Sequence, residues 1–248
     1  SKKYAIPLSI TGASNYSLIP SQRSAILLLN RSLLSSVAKV SGGEGIRIKP
    51  VGMHTKAEWT IQMSAIYSSL TRSNLTTAYL SNGTGGEFYT RISSTAGIQV
   101  KNGRDGDDTW TQIPLQAGKW LHITYVHKDK KTTVYVNGKV QKVFENSAIT
   151  FGENSMIVVG NSGYRNDYLR EIRLWDKALT ESEINDYLYL PMDPATPHLI
   201  SYLPLSKEME TKDLKAPAGT ENVTTKARIE YVENVKFPAD ELVIVNQE

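Results

Sequence analysis

The sequence contains no cysteine, which excludes both a disulfide framework and a thiolate metal site. A chain of 248 residues is long enough to bury a sizeable core without such cross-links. No apolar run reaches the length of about eighteen residues that a membrane-spanning helix requires, so we predict no transmembrane segment. No signal peptide is visible, and the start at Ser1 is what we expect of a trimmed mature protein.

The chain also lacks a strong charge of either sign. Its 28 basic and 25 acidic residues leave a net charge of +3, and no basic stripe is visible, so we predict no nucleic-acid partner. Phenylalanine is scarce, with four residues against thirteen tyrosines and four tryptophans. Tyr and Trp combine an apolar body with a polar group, which suits half-buried strands and wet binding faces.

Short apolar-alternating or β-branched segments follow one another from residue 46 to residue 175, separated by turn residues. Strands at such regular spacing predict an all-β sandwich or barrel, and the absence of a helical period between them argues against a parallel sheet. The segments are 46–51, 59–67, 76–81, 87–93, 97–101, 110–115, 120–127, 132–144, 156–160 and 168–175. Further strands are predicted at 4–10, 25–29, 198–205 and 227–238, with a glycine-rich linker at 41–45.

One short helix is predicted after these strands. Thr180 is the expected N-cap and Glu183 completes a capping box, while Leu179 and Ile184 are placed to form a hydrophobic staple. We expect the helix to run to about residues 187–190 and to be stopped by Pro191.

The most specific local pattern is the stretch from Trp120 to Gly138. Two alternating segments flank Asn137-Gly138, the preferred pair for a type I′ hairpin turn. Together with the preceding GKWLHITY, the later IVVG and REIRLWDKAL segments and the capped helix, this block resembles the ordered motifs of laminin-G-like domains in the concanavalin A-like lectin/glucanase superfamily. The resemblance covers about residues 118–190 and implies a two-sheet antiparallel jelly-roll sandwich, with Trp120 and Trp175 buried.

The resemblance extends more weakly towards both ends of the chain. Residues 4–29 resemble the end of a small β-domain that precedes laminin-G modules in surface lipoproteins of gut Bacteroidetes. We therefore predict N-terminal strands at 1–40, a remnant of such a domain, and the sandwich at 41–248. The same resemblance implies a secreted or cell-surface protein, an outer membrane lipoprotein if bacterial, with a lipid anchor upstream of Ser1.

Glycoside hydrolases of this superfamily carry their catalytic carboxylates in a Glu-x-Asp-x-x-Glu run on one strand. Strand alternation places such acids on one face, and retaining chemistry needs two carboxyls about 5 Å apart. This sequence has no such run: Glu171 and Asp176 face opposite sides of an unbulged strand, and the acids of 208–213 lie in a Lys-rich loop. Four histidines occur without a metalloprotease motif, and His122 and His127 are expected on opposite faces of one strand.

Two loops are the candidate binding sites. The first, at 102–110, collects hard oxygen ligands of the kind that Ca²⁺ favours, although Asp/Gly clusters also form ordinary turns. Its candidate calcium ligands are Asp105, Asp107 and Asp108, and Trp110 after them is a candidate platform for a sugar ring. In the second loop the candidate ligand-binding residues are Tyr164, Arg165, Asn166, Asp167 and Tyr168, which offer aromatic faces and planar hydrogen-bonding groups.

From these features we predict a non-catalytic extracellular binding module that recognises a glycan or a cell-surface protein through its loops. One alternative is a glycoside hydrolase-like enzyme, which the superfamily permits and the missing carboxylate run opposes. A second is a structural or adhesive domain without a small ligand. Fold alone does not decide among the three.

Overall fold

The computed structural model describes residues 36–43, 45–51, 57–71, 76–81, 88–102, 109–145, 155–160, 167–189, 191–233 and 235, with the backbone alone for 76–81 and 102. The strands predicted at 4–10 and 25–29 lie outside these residues. So do Asp105, Asp107, Asp108, Tyr164, Arg165 and Asn166.

The described residues form fifteen strands and one helix. In chain order they are β1 (Ser36–Ser41), β2 (Ile46–Ile48), β3 (Trp59–Ile66), β4 (Thr76–Ser81), β5 (Phe88–Ser93), β6 (Gly97–Asn102), β7 (Thr109–Trp110), β8 (Trp120–Lys128), β9 (Lys131–Val136), β10 (Lys139–Phe144), β11 (Met156–Val159), β12 (Asp167–Trp175), α1 (Glu181–Asp186), β13 (Leu199–Leu203), β14 (Val223–Thr225) and β15 (Arg228–Glu233).

The strands build two antiparallel sheets. The larger has the order β10-β9-β8-β3-β12-β1-β15, and β13 pairs with the second half of β12. The smaller has the order β14-β2-β11-β4-β5-β6-β7. The predicted all-β sandwich of two antiparallel sheets with one short helix is thereby confirmed.

Side chains from the two inner faces interlock to form the main core. Trp59 on the larger sheet meets Phe88 on the smaller sheet edge-on, with ring centroids 5.1 Å apart, and Phe88 meets Tyr125 of the larger sheet at 5.4 Å. All three side chains are fully buried. Edge-to-face aromatic pairs add about 0.5–1.5 kcal/mol each beyond the area they bury. These contacts therefore join the two sheets across their interface.

The predicted hairpin is present between β9 and β10. Asn137 and Gly138 both have positive φ, at 51° and 76°, as a type I′ turn requires. The Asn137 Oδ1 accepts a hydrogen bond from the backbone N–H of His122 at 2.9 Å, so the turn is tied to the neighbouring strand β8. The hairpin is part of the scaffold.

The predicted capping box and the positions of the staple residues also agree with the structure. The Thr180 hydroxyl accepts from the Glu183 N–H and the Glu183 carboxylate accepts from the Thr180 N–H. Leu179 and Ile184 belong to one buried apolar cluster. The helix ends at Asp186, earlier than predicted, because Tyr187 leaves helical geometry with φ −121° and ψ 18°.

Three details of the strand prediction need correction. The segment at 110–115 forms a strand only at Thr109–Trp110. The short segment SVAKVS, not recognised as a strand, forms β1 and pairs with β12 and β15. Val223–Thr225, also outside the predicted strands, forms β14 and pairs with β2.

Candidate functional site

The outer face of the larger sheet is closed by the chain that follows β12. Val126 and Trp175 point outwards from this sheet into a second apolar cluster. Leu179, Ile184 and Met192, from the helix and its flanking segments, cover them. Trp175 is buried as the resemblance implied, whereas Trp120, the first residue of β8, is only half-buried.

A buried polar network lies on the same closed face. Glu171 sits in a β-bulge between Arg170 and Ile172 with φ 60°, so β12 is not the unbulged strand assumed from its sequence. The Glu171 Oε2 accepts a hydrogen bond from the Arg173 Nε at 2.9 Å, and its Oε1 accepts one from the Tyr202 hydroxyl at 2.7 Å. A buried carboxylate with these partners is suited to holding the fold.

Two other acids considered as catalytic candidates, Asp176 and Asp213, are also engaged. The Asp176 Oδ1 lies 2.9 Å from the His198 Nδ1 at the end of β12. Asp213, the last acid of the 208–213 run, is buried and accepts backbone hydrogen bonds from Tyr202 and Lys215, both at 2.9 Å. Among the described residues, no group of three His, Cys, Asp or Glu side chains could hold a metal ion.

The two histidines of β8 lie on opposite faces, as predicted. His127 stacks on Trp59 in the core at 5.0 Å between ring centroids, and burial lowers its pKa to about 4. His122 contacts the Tyr189 ring on the closed outer face at 5.7 Å. Burial, together with the nearby positive charge of Arg173, lowers the pKa of His122 to about 3. Both rings are therefore neutral near pH 7.

The two predicted binding loops attach at opposite ends of the smaller sheet. The 103–108 segment follows Asn102, which pairs with Phe88, and Phe88 pairs with Leu80 near the end of β4. The 161–166 segment follows β11, whose last residue Val159 pairs with Ala78 near the start of β4. The described residues that precede the two segments therefore lie towards different ends of the smaller sheet's strands.

Three of the predicted ligand-binding residues are described. Asp167 is fully buried, and its Oδ1 accepts a hydrogen bond of 2.7 Å from the backbone N–H of Ser68, so it fixes the chain that follows β3. Tyr168 is half-buried at the start of β12. Trp110 is half-buried on the edge strand β7, where its carbonyl accepts a hydrogen bond from the Lys142 Nζ at 3.0 Å.

The outer face of the smaller sheet carries a set of polar and aromatic residues that includes Trp110. We name this set the basic face; its residues are Arg47, Tyr89, Arg91, Gln99, Lys101 and Trp110. Their strand neighbours Phe88, Ile92, Ile98 and Val100 are buried in the core, so alternation turns the basic face outwards. All six are half-buried except Gln99, which is buried.

Tyr89 lies at the centre of this face. The Arg91 guanidinium carbon lies 5.3 Å from the centroid of its ring, and the Lys101 Nζ lies 5.7 Å from it. Gln99 pairs with Arg91 on one side and with Trp110 on the other. The arrangement places an aromatic ring beside two charged hydrogen-bond donors, which is chemistry suited to a polar ligand with ring faces.

Of the basic face, sequence reasoning named only Trp110 as a candidate, because it treated the loops as the binding sites. The alternation of FYTRIS and GIQVK does place Tyr89, Arg91, Gln99 and Lys101 on outward positions. Their adjacency depends on the register of β5 and β6, which the alternation alone does not give.

These features define an antiparallel two-sheet sandwich with one covered outer face and one that presents polar and aromatic side chains. The sequence profile of the concanavalin A-like lectin/glucanases superfamily, of laminin G type, matches residues 41–185, more than half of the 248 residues. The chain belongs to this superfamily. No curated protein sequence matches it.

Solved structures of the same fold include a protein of Bacteroides ovatus that is provisionally named a carbohydrate binding protein. It is 20% identical with a TM-score of 0.62, and the match covers 82% of this chain and 61% of that one, so this chain spans about three fifths of its length. A heptameric SAP-like pentraxin from Limulus polyphemus is 14% identical with a TM-score of 0.51, covering 67% of this chain and 85% of that one.

A third similar structure is domain 4 of AbnA, an extracellular arabinanase from Geobacillus stearothermophilus, in complex with arabinotriose. It is 18% identical with a TM-score of 0.50, and the match covers 60% of this chain and 75% of that one. Identities this low show a common fold. Within the described part of the chain, no helix is long and apolar enough to cross a membrane.

Proposed function

We propose that this chain is a non-catalytic carbohydrate-binding module and that it binds its ligand on the basic face. The observation that carries the proposal is Tyr89, half-buried on an outward-facing sheet surface between the charged groups of Arg91 and Lys101. An aromatic ring can stack on the apolar face of a sugar while neighbouring donors bind its oxygens.

The similar structures support a carbohydrate ligand. One is provisionally named for carbohydrate binding, and another is a domain of an arabinanase solved with a bound arabinose oligomer. The engaged carboxylates of Glu171, Asp176 and Asp213 favour binding over hydrolysis. A secreted or cell-surface location fits this function and remains a prediction.

Affinity electrophoresis against a panel of polysaccharides tests the proposal. Tyr89→Ala should weaken binding of the retarding polysaccharide roughly tenfold, which corresponds to about 1.4 kcal/mol. Tyr168→Ala is the matched control, because it removes the same kind of half-buried side chain from the start of β12, where the predicted 161–168 site lies. Circular dichroism of both variants verifies folding.

The possible outcomes separate the alternatives. Loss of binding in Tyr168→Ala with none in Tyr89→Ala would move the site to the predicted loop. No retardation by any polysaccharide would favour a structural or adhesive domain. Release of reducing sugar that depends on a single carboxylate would show an enzyme.

A further inference from the structure

We infer that the carbohydrate bound on the basic face is an anionic polysaccharide, one that carries carboxylate or sulfate groups. This inference rests on the proposed function and names the chemical class of its ligand. It depends on the charged residues of the smaller sheet, whose strands carry basic residues without any acid.

The seven strands of the smaller sheet contain no Asp or Glu. Their charged residues are Arg47, Arg91 and Lys101, all on the outward-facing side. The strands of the larger sheet contain four acids, Asp167, Glu171, Glu230 and Glu233, together with eight basic residues, so charges of both signs are mixed there. The nearest acids along the chain to β5 and β6 are Glu87 and Asp105, which lie outside the described residues. The positive charge of the basic face thus comes from its strands themselves.

The cations are spread along a line across the sheet. Arg47 pairs with Val158, Val158 with Tyr79, Tyr79 with Tyr89, and Tyr89 with Lys101. Four strand spacings of about 4.8 Å separate the two ends of this row, so Arg47 and Lys101 stand about 19 Å apart at the backbone. Arg91 lies two residues from Tyr89 on the same face. A linear polymer with repeated anionic groups matches such a row better than a single small anion does.

The identity of the groups favours a sugar acid over other polyanions. A guanidinium binds a carboxylate or sulfate through two parallel N–H donors, and Tyr89 beside it can stack on the ring that bears the anion. Single-stranded nucleic acid needs successive aromatic platforms along a continuous basic groove. Here Tyr89 and Trp110 lie on different strands, and the whole chain carries a net charge of only +3.

Isothermal titration calorimetry with two forms of one polymer provides the test. The probes are polygalacturonate and the same polymer fully methyl-esterified, which keeps the sugar chain and removes the charge. We expect at least tenfold tighter binding of the free acid and a fall in its affinity as NaCl is raised, because screening weakens the ion pairs. A sulfated pair, heparin against its desulfated form, tests the second class of anion in the same way.

Substitutions in the basic face test whether its residues cause the preference for anionic polysaccharides. Arg91→Gln and, independently, Lys101→Gln should each weaken binding of the preferred anionic polymer roughly tenfold, converting to about 1.4 kcal/mol, and reduce its salt dependence. The control Arg228→Gln removes an exposed cation from β15 of the larger sheet and should leave the affinity unchanged. Two separate variants keep the test valid if one of them fails to fold.

Each contrary result has its own meaning. Equal binding of the charged and uncharged forms in both pairs would overturn the anionic class and leave the carbohydrate-binding function standing. Binding of no polysaccharide at all would reject the proposed function itself. Tighter binding of oligo(dT) than of any polysaccharide would overturn the inference in favour of nucleic acid.

Discussion

Acidification should destabilise this fold through its buried histidines, and His122 allows the effect to be calculated. Its pKa is lowered from 6.5 to about 3 by burial and by the positive charge of Arg173. Between these two pKa values the unfolded chain binds a proton that the folded chain does not, so the free energy of unfolding rises with pH. Stability is therefore lost as the pH falls below about 6.5.

The size of the loss follows from the same two pKa values. A pH of about 4.5 is about two units below the pKa of His122 in the unfolded chain, so the ring is protonated there. In the folded chain the ring is still neutral at this pH. At about 1.4 kcal/mol per unit, His122 alone costs about 3 kcal/mol of stability at that pH. Globular domains have only about 5–15 kcal/mol in total, so the loss is large enough to measure.

Equilibrium urea unfolding of the wild type and of His122→Gln, at about pH 7 and at about pH 4.5, is the assay. The variant should lose about 3 kcal/mol less than the wild type between the two pH values, whatever its stability at pH 7. His198→Gln is the control, because 58% of the His198 side chain is exposed. If His122→Gln loses as much stability as the wild type, the assignment of acid sensitivity to this ring is refuted.

Four further predictions concern stability and metal binding. Glu171→Gln should lower the free energy of urea unfolding by about 3–5 kcal/mol, because it leaves the Arg173 charge buried without its counter-ion; a loss below about 1 kcal/mol would contradict this. Gly138→Ala should cost about 1–3 kcal/mol in the same assay, since φ is 76° and the new Cβ would lie 2.1 Å from the Asn185 Oδ1. Thr180→Ala should remove about 1 kcal/mol with the helix cap, whereas Thr196→Ala, outside the helix, should not affect that cap. Calcium bound by Asp105, Asp107 and Asp108 should raise the Tm in millimolar Ca²⁺, and an equal Tm in EDTA would contradict this prediction.

The strands and the helix could be predicted because their signals are local. The alternation of apolar and polar residues predicts β5 and β9. The Asn137-Gly138 pair predicts the hairpin turn, and Thr180 with Glu183 predicts the start of the helix. β1 was missed because a short segment of small and polar residues has little pattern, and its strand conformation comes from pairing with β12 and β15.

The candidate site depends on long-range register and so could not be derived from local patterns. Tyr89 and Lys101 are twelve residues apart in the chain and become neighbours only when β5 and β6 pair. The bulge at Glu171 is equally hidden, because a positive φ at a glutamate requires the partners Arg173 and Tyr202 to hold it. Among the predicted loop residues, Asp167 had a suitable side chain but a buried position.

The pairing of β12 with both β1 and β13 limits where the chain can be truncated. One edge of β12 is completed by β1 at one half and β13 at the other, and β15 then pairs with β1. A fragment cut at the limits of the superfamily match, 41–185, would lack all three strands and expose an unpaired edge in the middle of the larger sheet. Such a fragment should aggregate, and during synthesis the larger sheet can be completed only after residue 233 has left the ribosome.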